Sequence, residues 1–204
     1  GCGYGGSCFP KDVKALLHSA GLVDEPMQVL SAVERSNERQ KMVLVDRIVE
    51  RFGEDLRGRR FALWGLAFKP DTDDMREAPS RVIIAELLRR GAQVVAHDPV
   101  ATTEARRVFG PIEGLEYAPH PHDATVGADA LVLVTEWKAF RSPDFERLRQ
   151  DLRHPVVFDG RNLFDPALMR SFGFEYFGIG RGAAVATEPA VETNAWTAAP
   201  RLAA

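Results

Sequence analysis

Cys8 is the residue whose surroundings best suit chemistry. It stands in GCGYGGSCFPKD, between a glycine-rich turn and a proline that can open a helix. Pro10 loses nothing in a first helical turn, where a backbone N–H has no intrahelical acceptor. A thiol at a helix N-terminus is favoured as the thiolate by the unpaired N–H groups and the dipole there. Lys11 adds a positive charge one turn away, and Asp12 can reach back with a carboxylate that positions water or accepts a proton. The bland alternative is a cysteine buried as a small hydrophobe. The flanking glycines, the helix start and the Lys11–Asp12 pair weigh against it.

A cysteine nucleophile serves several reactions. A protease needs a partner histidine, and none of the five, at 18, 97, 120, 122 and 154, stands in a recognisable context. Aldehyde oxidation through a thiohemiacetal and a thioester needs a thiolate, a route for water and a hydride acceptor. The loop can supply the first two, and the acceptor must come from elsewhere. Cys2, six residues before Cys8, makes neither a CxxC pair nor a zinc-ligand spacing, so no metal site is expected.

The elements around this loop read as follows. Apolar Val13, Leu16, Leu17 and Ala20 predict a helix over 10–21. A second helix is predicted from an Asp24 cap to Gly53, and its stretch 34–41 is entirely polar, so it is either exposed or meets something polar. Some 28 helical residues run on the order of 40 Å, a length that bridges domains or builds an oligomer interface. Two shorter helices broken near Asn37 are the alternative. From Arg59 onward strands alternate with helices: strands at 61–66, 93–97, 130–135, 155–158 and 175–177, helices at 77–90, 101–109, 143–152 and 165–171. That alternation predicts an α/β fold, a Rossmann-like doubly wound parallel sheet covered on both faces. Three regions follow: 1–55 with the cysteine loop and helical central segment, 56–182 with the sheet, and an Ala-, Thr- and Pro-rich tail, 183–204, expected to be disordered.

The 204 residues carry 26 basic and 29 acidic side chains, a formal charge of −3, which offers no surface built for nucleic acid. No apolar run is long enough to span a bilayer. Two cysteines form no disulfide framework, so a cytoplasmic setting is expected. Five lysines against 21 arginines make each lysine less easily dismissed as surface decoration. An opening on GCGYGG, without methionine or leader, is expected to be the interior of a longer protein.

The first strand of the sheet runs into GLAFKPDTDDMREAPS. A dinucleotide fingerprint would put G-x-G-x-x-G there; this loop has only Gly65 and is too long for that turn. Ligands of open parallel sheets lie beyond the carboxyl ends of the strands. That edge carries Phe68 and Lys69, then Asp98, Glu136 and Trp137, then Asp159 and Arg161. An aromatic, a lysine and an arginine suit a base, a phosphate and a sugar. Equally, Lys69 and Arg161 can simply neutralise nearby acids such as Asp71 and Asp159, and spacing does not choose between the two.

GYGGSCFPKDVKAL, GLAFKPDTDDMREAPS and VVFDGRN, in this order, together resemble the UDP-glucose 6-dehydrogenase family over roughly residues 1–182. The resemblance implies an oxidoreductase of nucleotide-sugar metabolism, taking UDP-glucose to UDP-glucuronate for polysaccharide biosynthesis with two NAD as hydride acceptors. It implies that Cys8 is the nucleophile and that Asp12 handles the hydrolytic water. Gly5, Phe68, Lys69 and Arg161 match substrate contacts, while Lys11 and Arg76 match residues touching NAD. The long helix matches the family's central helix, implying a homodimer. The family's NAD-binding domain and further catalytic residues lie upstream of the cysteine loop, so the chain by itself is expected not to turn over. Dehydrogenases of UDP-N-acetylmannosamine or GDP-mannose are the neighbouring alternatives; SCFPKD and TEWKAF fit UDP-glucose better. A nucleotide-sugar-binding or dimerisation module without chemistry is the reading from another class.

Overall fold

The predicted strands are near-continuous Val, Leu, Ala and Phe runs, the pattern of strands buried on both faces. A computed structural model describes residues 1–181 and shows what buries them. Two helices lead: α1 (Phe9–Gly21) and α2 (Gln28–Phe52). The sheet follows as β1 (Arg60–Trp64), α3 (Pro79–Arg89), β2 (Gln93–His97), α4 (Thr102–Phe109), β3 (Leu115–Tyr117), α5 (Pro121–Thr125) and β4 (Ala130–Leu133). A 3₁₀ turn (Lys138–Phe140), α6 (Phe145–Asp151), β5 (Val156–Asp159), α7 (Pro166–Ser171) and β6 (Glu175–Gly178) complete it. The expected tail at 183–204 lies outside the described residues.

All five strand pairings are parallel, in the order β3-β2-β1-β4-β5-β6. The order reverses at β1, so the crevice between the carboxyl ends of β1 and β4 is the natural ligand position. Strand periodicity of two divides the core. Phe61, Leu63, Val94, Val132 and Phe158 face one side with Ile83, Ile84 and Leu87 of α3. Ala62, Trp64, Val95, Leu131 and Leu133 face the other, with Phe140, Leu148 and Tyr176. The α/β expectation is met, and the neighbouring short elements β3 and α5 are additions to it.

Helix α2 is one unbroken helix of 25 residues, about 37 Å at 1.5 Å per residue. It begins at Gln28, four residues after the expected cap, because Asp24 sits in the left-handed region (φ 54°) within the turn that leaves α1. The carboxyl half of α2 is anchored: Leu44, Val45 and Ile48 are fully buried in the sheet's core, about 1.5–3 kcal/mol each. The amino half is open. Leu22, Val23 and Val29, with Phe9 and Leu16 of α1, are exposed apolar side chains. Asn37 and Lys41, in the all-polar stretch, are buried. One face of that stretch meets polar partners, while Arg35, Ser36, Glu38 and Arg39 stay exposed, so each of its two readings holds for part of it. No described helix is long and apolar enough to cross a membrane.

Candidate functional site

The two cysteines differ sharply. Cys2 is fully buried, its backbone N–H bonded to the Gly160 carbonyl at 2.9 Å, and burial pushes its thiol pKa up. A neutral thiol locked in the core is a packing residue. Cys8 is exposed and is the N-cap of α1, with Pro10 in the first turn and Ser7 Oγ 3.5 Å from its Sγ. Its side chain caps no backbone group, which leaves the sulfur available.

Loop 1–8 holds this thiol over the carboxyl edge of the sheet. The Gly6 N–H donates to the Arg76 carbonyl at 2.8 Å. Gly5 lies so close to the next residue that an added Cβ would stand 2.4 Å from the Glu77 carbonyl oxygen, a contact no other residue type can make. On the other flank, the Tyr4 N–H donates to Asn37 Oδ1 at 2.8 Å, and Asn37 Nδ2 returns a bond to the Tyr4 carbonyl at 3.2 Å. The Tyr4 hydroxyl reaches Glu34 Oε2 at 3.1 Å. The cysteine loop is therefore bonded to α2 on one side and to loop 65–78 on the other.

Arg161, after β5, joins the strand ends. Its Nε donates to the Val134 carbonyl at 2.7 Å and its Nη2 to the Phe68 carbonyl at 3.2 Å. Glu136 Oε2 lies 3.0 Å from the same Nε, whose one hydrogen is already used, so this is an ion pair without a hydrogen bond. A guanidinium has five N–H donors. With two spent on carbonyls, the other three make no hydrogen bond among the described residues. Phe68 is half-buried, and Lys69 is exposed with its Nζ 5.3 Å from the Phe68 ring centroid. Lys69 makes no ion pair with Asp71 among the described residues, and the Asp159 carboxylate accepts from the Arg161 and Phe164 N–H groups and the Tyr176 hydroxyl. Arg161 thus does neutralise a nearby acid, Glu136, as the blander reading expects, while Lys69 pairs with no acid among the described residues. A cleft of about 520 Å³ runs between Gly1, Gly3, Tyr4, Asn37, Gln40 and Arg161.

Of the residues singled out in the sequence, Gly5, Phe68, Arg76 and Arg161 meet around this edge, with Cys8 and Lys69 at its rim. Arg76 is exposed and clasped by Asp74, whose hydrogen bond raises the guanidinium pKa; an ionised Cys8 contributes in the same direction, behind Asp74. Lys11 and Asp12 are not drawn in. They pair with each other at 3.6 Å in open solvent on the first turn of α1. Glu34, Asn37, Lys41 and Glu77 were not singled out; the all-polar stretch was the signal for the first three.

The sheet does not fit a dinucleotide of its own. The acid after β2 that would hold a ribose, Asp98, is buried and already accepts five hydrogen bonds. Its Oδ2 takes the Leu66 N–H at 2.7 Å, the Ala67 N–H at 3.2 Å and Trp137 Nε1 at 3.0 Å. Its Oδ1 takes the Val100 and Ala101 N–H groups at 2.9 and 2.8 Å. The N–H groups after β1 that would face a pyrophosphate are consumed by the same carboxylate. Lys11 and Arg76, exposed cations on the cysteine side, are of the right chemistry to touch an anionic cofactor bound by residues other than this sheet's.

Comparison with known proteins agrees with this geometry. Residues 62–166 match the UDP-binding domain of the UDP-glucose/GDP-mannose dehydrogenase family, and residues 1–39 match that family's central domain. The UDP-glucose 6-dehydrogenase of Pseudomonas aeruginosa is 54% identical over 184 residues, 89% of this chain and 41% of that protein. That of Rhizobium meliloti is 40% identical over 181 residues, again 89% and 41%. A UDP-glucose dehydrogenase structure from Pyrobaculum islandicum superposes with a TM-score of 0.71 at 37% identity, covering 80% of this chain and 35% of that one. An NDP-N-acetyl-D-galactosaminuronic acid dehydrogenase from Methanosarcina mazei gives 0.74 at 27%, covering 91% and 40%. The chain spans about two fifths of the curated relatives it matches. Its parallel sheet, its glycine-bound cysteine loop and these matches agree, and the chain belongs to the UDP-glucose/GDP-mannose dehydrogenase family.

Proposed function

We propose that this chain is the nucleophile-bearing and nucleotide-sugar-binding part of a UDP-glucose 6-dehydrogenase that converts UDP-glucose to UDP-glucuronate. The observation that carries the reading is an exposed thiol at a helix start, on a loop bonded to the sheet edge that holds Phe68 and Arg161. Arg161 and Lys69 meet the diphosphate, and the Phe68 ring gives the base or sugar an apolar face. The Gly5 backbone approaches the sugar, as its lack of a side chain permits.

Cys8 adds as thiolate to the C6 aldehyde carbon, and the oxygen takes a proton, giving a thiohemiacetal. When C6 gives up its hydride to the acceptor and the hydroxyl gives up its proton to solvent, the same sulfur carries the C6 acyl group as a thioester. Water attacks that carbon, Asp12 accepts one of its protons, and Cys8 departs as thiolate; the carboxylic acid so formed gives its remaining proton to solvent and becomes the carboxylate. NAD supplies the hydride acceptor for both oxidations, with Lys11 and Arg76 as its contacts on this chain. The protein works in the cytoplasm, where both cysteines stay reduced. It is a homodimer through α2, where Val29, together with Leu22 and Val23 of the turn that precedes the helix, leaves apolar surface to cover.

The test is Cys8→Ser in the complete protein. Removing a nucleophile that acts in the chemical step lowers kcat by several orders of magnitude, on the order of 10³ or more. NADH formation from UDP-glucose at the parent rate would overturn the assignment.

A further inference from the structure

Glu77 has no part in that scheme, yet it touches α1, α2 and the cysteine loop. It sits in the left-handed region (φ 52°), a conformation that a non-glycine residue keeps only where its surroundings hold it. Its side chain is held by a pair of lysines. Glu77 Oε1 accepts from Lys14 Nζ of α1 at 2.8 Å, and Oε2 accepts from Lys41 Nζ of α2 at 3.3 Å. Lys41 is only 2% exposed; its other carboxylate partner is Glu38, at 2.8 Å.

The other side of Glu77 faces the cysteine loop. Its carbonyl oxygen lies directly beneath Gly5, and the carbonyl of the preceding residue, Arg76, holds the Gly6 N–H. The Lys41 stem passes under the same loop: a Cβ on Gly3 would stand 2.9 Å from Lys41 Cγ. One carboxylate therefore ties α1, which begins at Cys8, to α2 and to the backbone on which the cysteine loop rests. Exposed ion pairs are weak, because either partner can turn to water. Lys41 cannot, and a buried charge that loses a partner is costly.

We propose that Glu77, clamped between Lys14 and Lys41, is a positioning residue that sets the Cys8 loop against the nucleotide-binding edge. Its effect on turnover rests on the reading of Cys8 as nucleophile; its effect on the loop does not. Two measurements on the complete protein separate these. Glu77→Gln keeps the shape and removes the charge. Hydrogen exchange at the Gly6 amide should accelerate about tenfold or more, while the amides of Val94 and Ala96 in β2 stay within about twofold. With UDP-glucose, kcat should fall about tenfold, with KM and the Kd for UDP each within about twofold, the pattern of misplaced chemistry rather than lost binding. Lys14→Met removes the exposed partner, leaves Lys41 paired, and gives the same pattern at smaller amplitude should Glu77→Gln loosen the whole sheet. Unchanged Gly6 exchange in both variants would overturn the proposal, as would UDP binding that weakens by the same factor as kcat. Faster Gly6 exchange together with a fully active Cys8→Ser would uphold the positioning role and refute the nucleophile.

Discussion

Arg161 is the side chain whose loss has the most calculable consequences. Arg161→Met keeps the apolar stem and removes the guanidinium, which donates to the Val134 carbonyl at 2.7 Å and the Phe68 carbonyl at 3.2 Å. Hydrogen bonds from charged groups are worth about 1.5–3 kcal/mol each, and the longer one belongs at the low end. Glu136 loses its ion pair too, but its side chain is 36% exposed and can turn to water, so this adds little. The sum is about 3 kcal/mol of stability, or about 6–12 °C in Tm for a chain of this size. Urea unfolding followed by tryptophan fluorescence, with Trp64 fully buried at the sheet's centre, measures it. The binding role is separate. If the spare N–H donors take a phosphate, the Kd for UDP, measured by calorimetry well below the variant's Tm, rises about 10- to 100-fold at 1.4 kcal/mol per decade. A stability loss under about 1 kcal/mol would mean that the strand-end bonds carry no load. A UDP affinity within about twofold of the parent would remove Arg161 from the proposed site while leaving its structural role intact.

Two further outcomes follow from the same geometry. Gly65, at φ +95°, lies where β1 enters its loop, and a Cβ there would fall 2.4 Å from Thr135 Cβ and 2.5 Å from the Thr135 nitrogen. Gly65→Ala should cost about 2–4 kcal/mol through strain and overlap combined, and a urea midpoint equal to the parent's would refute the packing at this crossing. The Glu77 clamp also predicts a pH dependence. The Lys14 hydrogen bond holds the Glu77 carboxyl below its ordinary range, and the same bond raises the Lys14 pKa. For a depressed acid the added stability is complete above the unfolded value, about 4.3, and vanishes as pH falls through the lower folded value. For the raised lysine it is complete below about 10.4 and vanishes as pH climbs past the folded value. The unfolding midpoints of the parent and Glu77→Gln should differ between these limits and converge as pH falls from about 4.3 through the lower folded value; a gap that stays constant into acid would refute the ionic account.

The sheet was legible because its strands are apolar runs with glycine punctuation, and periodicity reports burial directly. β3 and α5 escaped for reasons of size. Leu115–Tyr117 is three residues on an edge, only partly buried, and Pro121–Thr125 is little more than one turn. The unbroken course of α2 was open in the sequence because local pattern says nothing about partners 33 to 36 residues away. Asn37 is satisfied by Tyr4, and Lys41 by Glu77. Cys8 was visible through its neighbours in sequence. The bonds of Arg161 were not, since a backbone carbonyl carries no residue identity.

What the sequence left open at the strand ends, the hydrogen bonds decide through competition for one carboxylate. A doubly wound sheet of this strand order can offer a dinucleotide two things: free N–H groups after β1 and a free acid after β2. Here those groups satisfy each other, since Asp98 accepts from Leu66 and Ala67 and from the helix-side N–H groups of Val100 and Ala101. An acceptor with five donors has no affinity to spare for a ribose. Closing that site internally also fixes the exit of β1, which carries the chain on to Phe68 and Lys69. Cations remain at this edge all the same: Lys69 on the β1 exit, and Arg161, two strands away in sheet order, held by the Phe68 carbonyl from that exit. One fold is thereby turned from holding a dinucleotide across its first crossover to presenting an arginine and an aromatic ring beside a cysteine loop.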